Sequence, residues 1–487
     1  MIKPTLSEIK KLGSGNTVVP IAIEMFSDVK TSIQILRNIQ ACSLQYFVLE
    51  SVKSNETWGR YSFLGFNPTM TISGVDGKVD LQNGDEKIEI DAAPMAAIRN
   101  ILKKHKSPRL PFLPPFTGGL VGYFSYDCIK YFEPSLILNC KDDEGFKDFH
   151  LMLIDRVIAF DHFAQKIFLI VNIPLEDIES SYTQGIAILK DMERMVLAEC
   201  PYSETTASEC GEFTPTFSKE KYCEMVEKVK AHIVEGDIFQ AVISNRLTAP
   251  FTGTLLETYR RLRTTNPSPY MVYFHFDDME IAGASPETLV SLKNGELSTY
   301  PLAGTCPRGK TKNEDDELVK ELLSNEKELA EHDMLVDLGR NDLGKVSRFG
   351  SVKLSEYRQI KQFSHVSHIA SKVTGIIKDE MDAMDSIAAT LPAGTLSGAP
   401  KKRACEIIDN LEGVKRGVYG GAMGYIDFSG NMDMCIGIRM AMLKNGKVFV
   451  QSGGGIVADS IPEKEYEETI NKAKAMINAL KPEKENN

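Results

Sequence analysis

Four glutamates form two equally spaced pairs in the C-terminal half of the chain. Glu328 and Glu331 are one pair, and Glu465 and Glu468 are the other. Residues three apart in an α-helix lie on the same face, so each pair can direct two carboxylates towards one point. Mg²⁺ prefers oxygen ligands of this kind. The spacing indicates either a shared divalent-metal site or two solvated helix faces, because a chain with 67 acidic residues contains many such pairs.

Apolar residues around these pairs predict the helices that carry them. In the second segment, Pro462 occupies a favourable first helical position, and apolar residues recur with a helical period from Tyr466 to Leu480. In the first segment, the apolar line runs from Leu318 to Val336 and predicts a helix through the whole segment. Both glutamate pairs lie off these apolar lines, so their carboxylates are available for chemistry.

Glycine-rich clusters occur at residues 303–305, 394–401, 419–424 and 453–455. Glycine allows backbone N–H groups to approach an anion closely, so each cluster is a candidate anion-binding segment. Turns and strand crossings also need glycine, and this alternative stays open for each cluster. No cluster matches a phosphate loop or a dinucleotide-binding fingerprint. The sequence therefore disfavours a nucleotide-binding protein.

Two further features involve side chains that carry or transfer charge. Arg439 follows the apolar run 434–438 and is predicted to end or interrupt a buried strand. A buried guanidinium needs an anionic partner, which is either a ligand or an internal carboxylate. His365 and His368 have no cysteine or third histidine to complete a zinc site, so each is either a structural hydrogen-bonding group or a proton-transfer group.

Composition restricts the partners and the compartment. The net charge of −11 argues against nucleic acid or an anionic membrane as a partner. The nine cysteines contain no C-x-x-C pair, the N-terminus lacks an apolar signal core, and no apolar run reaches the ~20 residues of a membrane helix. These features predict a cytoplasmic protein with reduced thiols and a small-molecule ligand.

Tight-turn dipeptides and helical patterns alternate along the chain. Asp76-Gly77, Asn83-Gly84, Asn294-Gly295 and Asn445-Gly446 lie between β-rich runs and predict antiparallel hairpins. A helical pattern at 218–234 ends before Gly236. The chain is therefore predicted to be α+β. A stretch rich in Ser, Thr, Glu and Gly at 201–217 is the predicted linker between an N-terminal portion, 1–200, and a C-terminal portion, 218–482.

Six motifs occur in the order and spacing of one known family. They lie at 301–309, 331–342, 394–401, 419–421, 435–439 and 453–455. On these motifs the chain resembles the chorismate-utilising enzymes, and over nearly its whole length it is similar to the anthranilate synthase component I branch of that family. The resemblance implies large antiparallel or mixed β-sheets packed as a sandwich with helices on the outside. It also makes 1–200 a regulatory portion and 218–482 a chorismate-binding catalytic portion.

The resemblance implies a lyase of tryptophan biosynthesis that converts chorismate and ammonia to anthranilate and pyruvate. Mg²⁺ is the implied cofactor, and its implied ligands are Glu328, Glu331, Glu465 and Glu468, of which Glu331 and Glu468 bind it directly. Implied substrate contacts are Gly304, Thr305, Tyr419, Arg439, Gly453, Gly454 and Gly455. The implied catalytic residues are Glu287, His368, Thr395, Gln240 and Lys401. Among them, Glu287 is the general acid for the departing 4-hydroxyl.

Two positions separate this reaction from those of related enzymes. Gln240 stands where relatives that add water to chorismate carry a lysine base, and Ala303 stands where aminodeoxychorismate synthases carry a nucleophilic lysine. The alternatives are an aminodeoxychorismate synthase component I and a non-catalytic tryptophan-binding protein on the same fold. Cys306 and Ser367 depart from the arginine and methionine usual in the family, which leaves the substrate contacts of this region open.

The resemblance also implies a regulator and a partner. Ser51, Pro269, Tyr270 and Met271 match the pocket in which tryptophan binds as feedback inhibitor. The chain has no recognisable glutamine-hydrolysing module. A separate glutamine amidotransferase subunit is therefore expected to supply ammonia, in a heterotetramer of two copies of each subunit. No nucleic-acid or membrane partner is expected.

Overall fold

The computed structural model describes residues 2–12, 15–51, 59–84, 86–199, 208–362 and 366–481. Its helices, numbered along the chain, are α1 Leu6–Ile9, α2 Ser32–Gln40, α3 Pro94–Lys104, α4 Ile129–Phe132, α5 Ile178–Leu197, α6 Lys219–Val234, α7 Leu256–Thr265, α8 Lys312–Ser324, α9 Glu326–Val346, α10 Ala383–Thr390, α11 Lys401–Glu412 and α12 Pro462–Leu480. None of these helices is long and apolar enough to cross a membrane.

The strands of the same described residues form two sheets. They are β1 Val18–Phe26, β2 Tyr46–Glu50, β3 Tyr61–Phe66, β4 Met70–Val75, β5 Lys78–Asn83, β6 Glu86–Ile90, β7 Gly119–Phe124, β8 Phe149–Ile154, β9 Arg156–Asp161, β10 Lys166–Pro174, β11 Glu209–Cys210, β12 Thr214–Pro215, β13 Gln240–Thr252, β14 Tyr270–His275, β15 Glu280–Ser285, β16 Thr288–Lys293, β17 Glu296–Thr299, β18 Leu302–Pro307, β19 Lys353–Gln362, β20 Val366–Ile376, β21 Gly398–Ala399, β22 Ala422–Asp427, β23 Met432–Ile436, β24 Met440–Lys444 and β25 Lys447–Ile456.

The first sheet has 13 strands in the order β1-β10-β9-β3-β2-β14-β15-β24-β25-β13-β11, with β12 and β21 also paired to β13. The second sheet has 12 strands in the order β18-β20-β17-β16-β23-β22-β7-β8-β4-β5-β6, with β19 paired to β20. The ladders between these strands are antiparallel. The predicted α+β fold with large sheets packed as a sandwich is therefore confirmed.

Both sheets contain strands from both sides of the predicted linker. In the first sheet β2 pairs with β14, and in the second sheet β7 pairs with β22. Within the linker, β11 and β12 pair with β13, while residues 201–207 lie outside the described residues. The division into 1–200 and 218–482 stays a prediction about the sequence, and it does not separate the strands of either sheet.

The core lies between the sheets because strand side chains alternate in direction. Phe47 of β2 belongs to the buried cluster that contains Phe124 of the second sheet. Its neighbour Val48 belongs to a different buried cluster, which contains residues of α2, α5, α7 and α12 such as Ile35 and Leu189. The first sheet therefore buries one face against the second sheet and the other face against helices.

Turn chemistry explains the hairpins. The strand pairs β4–β5, β16–β17 and β24–β25 are joined at Asp76-Gly77, Asn294-Gly295 and Asn445-Gly446. Both residues of each dipeptide have positive φ. Such turns have the twist of the strands they connect, and asparagine, aspartate and glycine tolerate the left-handed conformation best. These predicted hairpins are confirmed.

Helix ends follow the capping residues of the sequence. The side chain of Ser218 accepts a hydrogen bond from the backbone of α6, and Gly236 beyond its end has φ +83°. α12 begins at Pro462 as predicted. The single helix predicted over 318–336 is wrong, because the segment divides into α8 and α9 at Asn325. Asn325 has extended ψ of 102°, and its side-chain oxygen caps the first N–H groups of α9.

Replacing Phe47 by alanine tests the core between the sheets. Phe47 is 0% exposed and its ring lies near those of Phe116 and Phe274. We expect Phe47→Ala to lower the free energy of unfolding by about 3–5 kcal/mol through lost contacts and the cavity left behind. Urea unfolding followed by circular dichroism measures the change. The control is Phe26→Ala, because Phe26 is 74% exposed, and equal unfolding midpoints for both variants would contradict this account.

Candidate active site

The chain crosses between the two sheets at two adjacent points, and each crossing carries a predicted site residue. Glu287 lies between β15 of the first sheet and β16 of the second, and Arg439 lies between β23 of the second sheet and β24 of the first. The backbone N–H of Ile436 donates to the carbonyl of Glu287, and the N–H of Ala284 donates to the carbonyl of Arg439, both at 3.0 Å. Arg439 has φ +53°. The predicted strand interruption at Arg439 is therefore a sheet-to-sheet crossing.

Glu287 is a buried carboxyl group with an altered proton affinity. The residue is 8% exposed, and burial raises its pKa to about 8 although a hydrogen bond from Thr395 lowers it. The Thr395 hydroxyl donates to Glu287 Oε1 at 3.4 Å. Glu287 is therefore mainly protonated at neutral pH, which is the state that a general acid requires.

A small cavity of about 40 Å³ lies beside Glu287 and is also lined by Asp342, Thr395 and Ile436. Asp342 Oδ2 accepts a hydrogen bond from Lys401 Nζ at 2.7 Å, and the same ammonium donates to the carbonyl of residue 390. The ammonium of Lys401 is therefore paired and joins α11 to α9 beside the cavity. Its predicted role as a catalytic residue stays a prediction.

His368 and Thr305 occupy opposite positions on the paired strands β20 and β18. Thr305 Oγ1 lies 2.9 Å from His368 Nδ1, and the Gly304 carbonyl lies 3.3 Å from the same nitrogen. Gly304 has φ +71°, which favours glycine at this position. The pairing of β18 with β20 thus brings together the predicted substrate contacts Gly304 and Thr305 and the predicted catalytic residue His368. His365 lies outside the described residues.

The glycines 453–455 lie on β25, where side chains from neighbouring elements press against the backbone. A Cβ atom on Gly455 would lie 2.1 Å from Gln240 Nε2, and one on Gly453 would lie 3.1 Å from the Tyr419 hydroxyl. Gln240 and Tyr419 are both buried. Glycine is therefore required here for space, because two predicted site residues, Gln240 and Tyr419, pack directly against this part of the strand.

The two glutamate pairs meet these glycine segments from α9 and α12. A Cβ atom on Gly304 would lie 3.4 Å from Glu328 Oε2, and one on Gly454 would lie 3.0 Å from Glu465 Oε2. Burial raises the pKa of Glu331, and the nearby charge of Glu328 raises it further. The helices therefore direct carboxylates from two sides to the segments predicted to contact substrate.

One lysine partly neutralises this acidic cluster. Lys472 Nζ pairs with Glu468 at 2.7 Å and donates to the Gly453 carbonyl at 3.0 Å. Burial raises the pKa of Glu465, and the charge of Glu468 acts in the same direction. Crowded carboxylates that disfavour one another's charge are a suitable donor set for a divalent cation.

The spacing of the glutamates fits Mg²⁺ better than a metal that needs a closed cage. Among the described residues, the side chains whose ligand atoms all lie within 4.8 Å of one another are His232, Glu235 and Asp237, near the end of α6. The four glutamates are more widely spaced. Mg²⁺ keeps several waters and often takes only one or two protein carboxylates, so an open acidic site suits it.

Arg439 lies near the same acidic helix. Its side chain is solvent-exposed, and its Nη1 donates to the carbonyl of residue 472 at 3.4 Å. Surrounding protein nevertheless lowers the pKa of its guanidinium, while Tyr419 and Glu468 oppose that effect. A charged group that is exposed yet surrounded by protein lies in an open cleft, where an anion can reach it.

The residues assigned to a tryptophan pocket lie on neighbouring strands. Met271 of β14 is paired with Glu50 of β2, which immediately precedes Ser51, and Pro269 and Tyr270 immediately precede Met271. The Tyr270 hydroxyl contacts Thr288 Oγ1 and Asp433 Oδ1, each at 2.8 Å. Tyr270 therefore joins the first sheet to the residue that follows Glu287 in the second.

Sequence reasoning missed several buried ionic groups. Glu50 accepts a hydrogen bond from Tyr259 and pairs with Arg263 at 2.7 Å beside the tryptophan-pocket residues. Arg416 and Glu412 form a fully buried pair beside Tyr419. Glu412 and Arg416 are four positions apart, a spacing at which helical side chains can pair. Nothing in the sequence shows, however, that this pair is buried.

Comparisons with known proteins agree with this geometry. A family model described as chorismate binding enzyme matches residues 46–478. The anthranilate synthase component 1 of Acetivibrio thermocellus is 44% identical over 490 residues, covering 99% of each chain. That of Pseudomonas aeruginosa is 43% identical over 480 residues, covering 97% of each.

Solved structures show the same relationship. The crystal structure of anthranilate synthase component I from Streptococcus pneumoniae superimposes with a TM-score of 0.77 at 38% identity, covering 93% of this chain and 98% of that one. The menaquinone-specific isochorismate synthase of Escherichia coli has a TM-score of 0.70 at 17% identity, covering 98% and 99%, which shows the fold alone. The chain therefore belongs to the chorismate-binding enzyme family, in its anthranilate synthase component I branch, and is a chorismate-utilising enzyme.

Proposed function

We propose that this protein converts chorismate and ammonia to anthranilate and pyruvate as the synthase component of an anthranilate synthase. The observation that carries the proposal is Glu287, a buried carboxyl group with a pKa of about 8 that accepts a hydrogen bond from Thr395. It supplies a proton donor at neutral pH within a chain of this family. The absence of lysine at Gln240 and Ala303 supports ammonia, rather than water or the protein itself, as the nucleophile.

In the proposed reaction, ammonia attacks C2 of chorismate and forms the carbon–nitrogen bond as the 4-hydroxyl group leaves. Glu287 protonates that hydroxyl, so water departs rather than hydroxide. Loss of the C2 proton and cleavage of the bond to the enolpyruvyl oxygen then give anthranilate and pyruvate. His368 lies beside Thr305 at the ring contacts and assists either the loss of the hydroxyl or the elimination.

Substrate binding follows from charge. Chorismate is a dianion and the protein has a net charge of −11, so local positive charge is required. Arg439, exposed in the cleft, is suited to hold the enolpyruvyl carboxylate through a bidentate contact. We place the ring near the backbone of Gly453, Gly454 and Gly455, which Lys472 connects to Arg439.

We assign a Mg²⁺ site to Glu328, Glu331, Glu465 and Glu468, with Glu331 and Glu468 as direct ligands. Burial, and after it the charge of neighbouring glutamates, raises the pKa of Glu331 and Glu465, and this crowding supports the assignment. When bound there, the ion supplies positive charge for the ring carboxylate of chorismate. The glutamates extend from two separate helices against the glycine segments and would hold the ion there.

We also propose tryptophan as feedback inhibitor and a glutamine amidotransferase as partner. Ser51, Pro269, Tyr270 and Met271 lie together on β2 and β14 or directly beside them, and the Tyr270 hydroxyl contacts Thr288 next to Glu287. The names of the relatives, component 1, imply a second component. Two copies of each subunit form the proposed assembly, and ammonium replaces the partner in the assay below.

Product fluorescence tests the function directly. Purified protein mixed with chorismate, MgCl₂ and ammonium at alkaline pH is expected to produce anthranilate emission that disappears when EDTA replaces MgCl₂. Pyruvate measured in parallel should appear in equal amount. Chorismate consumed without anthranilate would indicate amination at C4 or isomerisation, and no consumption would favour a non-catalytic tryptophan-binding protein.

Glu287→Gln tests the general acid. We expect the rate with ammonium to fall about 10²–10⁴-fold, because glutamine cannot donate that proton to the leaving hydroxyl. In the wild type, rates divided by the free NH₃ concentration should decline as pH rises through about 8, where Glu287 loses its proton. The exposed Glu296→Gln is the control and should retain wild-type rates. A flat profile through this range would contradict the assignment.

Ser51→Ala tests the inhibitor site. We expect the tryptophan concentration that halves activity to rise about tenfold, the effect of losing one good hydrogen bond to a charged ligand. The rate without tryptophan should stay close to that of the wild type, since Ser51 lies outside the catalytic cleft. Ser180→Ala, on the exposed face of α5, is the control. An unchanged inhibition curve for Ser51→Ala would remove this residue from the pocket.

A further inference from the structure

Arg416 is the largest of the fully buried side chains that the structure describes. It lies between α11 and β22, and its guanidinium is neutralised by one carboxylate. Nε and Nη2 donate to the two oxygens of Glu412 at 2.8 and 2.6 Å. Glu412 also accepts from the backbone N–H of Ser244 at 2.7 Å. Glu412 is thus held both by Arg416 and by the backbone of β13.

The remaining contacts of Arg416 reach four segments of the chain. Nη1 donates to the carbonyl of Leu396 at 2.7 Å, and Nη2 donates to the carbonyl of Val242 at 2.6 Å. The guanidinium carbon lies 4.5 Å from the ring centre of Tyr126 and 5.8 Å from that of Tyr419. One planar group therefore connects a turn, a strand and two aromatic rings.

The segments of Leu396, Val242 and Tyr419 each present a residue of the proposed site. Leu396 directly follows Thr395, whose hydroxyl contacts Glu287. Val242 lies two positions after Gln240 on β13. The hydroxyl of Tyr419 faces Gly453 on β25. The groups that Arg416 holds are backbone carbonyls and a ring, so it fixes where these segments lie without touching the substrate cleft itself.

We propose that Arg416 is a positioning residue, whose single guanidinium keeps the Thr395 turn, the Gln240 strand and Tyr419 in the relative arrangement that the reaction needs. This inference rests on the proposed function. A buried ion pair alone contributes little to stability compared with apolar residues of the same volume. Several segments of the site meet at Arg416, so we infer that the pair serves to fix their relative positions.

Lysine cannot replace arginine in this role. A lysine ammonium has one nitrogen and cannot donate at once to the two oxygens of Glu412 and to the carbonyls of Leu396 and Val242. We expect Arg416→Lys to preserve a buried positive charge for Glu412 while releasing the turn that carries Thr395. Misplacement of about 1 Å at a catalytic group lowers rates by about 10²-fold, with less effect on ground-state binding.

Release of the turn also predicts a shift in the pH profile. Thr395 lowers the pKa of Glu287 through its hydrogen bond, so weakening that bond lets burial raise the pKa further. The protonated acid then persists to higher pH, and the alkaline limb of the rate profile moves upwards. Asp342 is the other ionisable group that lines the cavity, and it remains paired with Lys401 and Lys345.

The experiment compares Arg416→Lys with Arg99→Lys in ammonium-dependent anthranilate formation. Arg99 is a suitable control because it also bridges several acceptors, Asp382 and Asp385, but it joins α3 to α10. We expect Arg416→Lys to reduce kcat at least about 30-fold, with KM for chorismate within about threefold of the control. Its alkaline limb should lie at higher pH than that of Arg99→Lys. Circular dichroism should show both variants folded.

Two results would overturn the inference: a kcat within about threefold of the control, or a reduced kcat with an unmoved alkaline limb. If Arg416→Lys does not fold, the double variant Arg416→Met/Glu412→Gln is measured instead, because it removes both charges and keeps an acceptor for Ser244. The same expectations and the same overturning results apply to it. An inactive wild type would contradict the proposed function, whereas an active wild type with an unaffected Arg416 variant would contradict only this inference.

Discussion

The two adjacent crossings between the sheets are the constraint on which the site depends. A chain that leaves one sheet and enters the other loses its strand-to-strand hydrogen bonds at the crossing. Here the backbone carbonyls of Glu287 and Arg439 instead accept hydrogen bonds from the neighbouring crossing. The same geometry that joins the two sheets therefore places Glu287 and Arg439 on adjacent crossings, although they are distant in sequence.

Near these crossings, the acidic side chains of the site differ in how deeply they are buried. Glu287 is enclosed and keeps its proton, whereas the glutamates of α9 and α12 remain partly exposed in a common acidic cluster with Lys472. Burial raises the pKa of Glu287, whereas the charge of a neighbouring glutamate adds to burial in raising the pKa of Glu331 and Glu465. Arg439 is exposed in the cleft, so an anionic substrate would lie near both this cation and the acidic cluster.

Local sequence patterns predicted much of the fold, whereas most of the candidate site residues were named by the family resemblance. Hairpin dipeptides such as Asn294-Gly295 and the capping residue Ser218 act within a few positions, so their outcomes follow from the sequence. The break at Asn325 was missed because the apolar line continues through it, while a side-chain cap begins a new helix there. The position of Arg416 was missed because, apart from Glu412 four residues away, its hydrogen-bond acceptors are carbonyl groups on distant segments, and a carbonyl has no signature in the sequence.

Because each sheet contains strands from both halves of the chain, the first half cannot complete its strand pairing while it leaves the ribosome. β2 pairs with β14 and β7 pairs with β22, so the first half emerges from the ribosome with those strand edges still lacking these partners. Contacts between such distant segments form slowly, because a long loop must close first. Unpaired edges attract other chains. A shortened chain that ends before β14 would thus expose one edge in each sheet at once, and aggregation rather than a smaller folded protein is the expected fate of such a fragment.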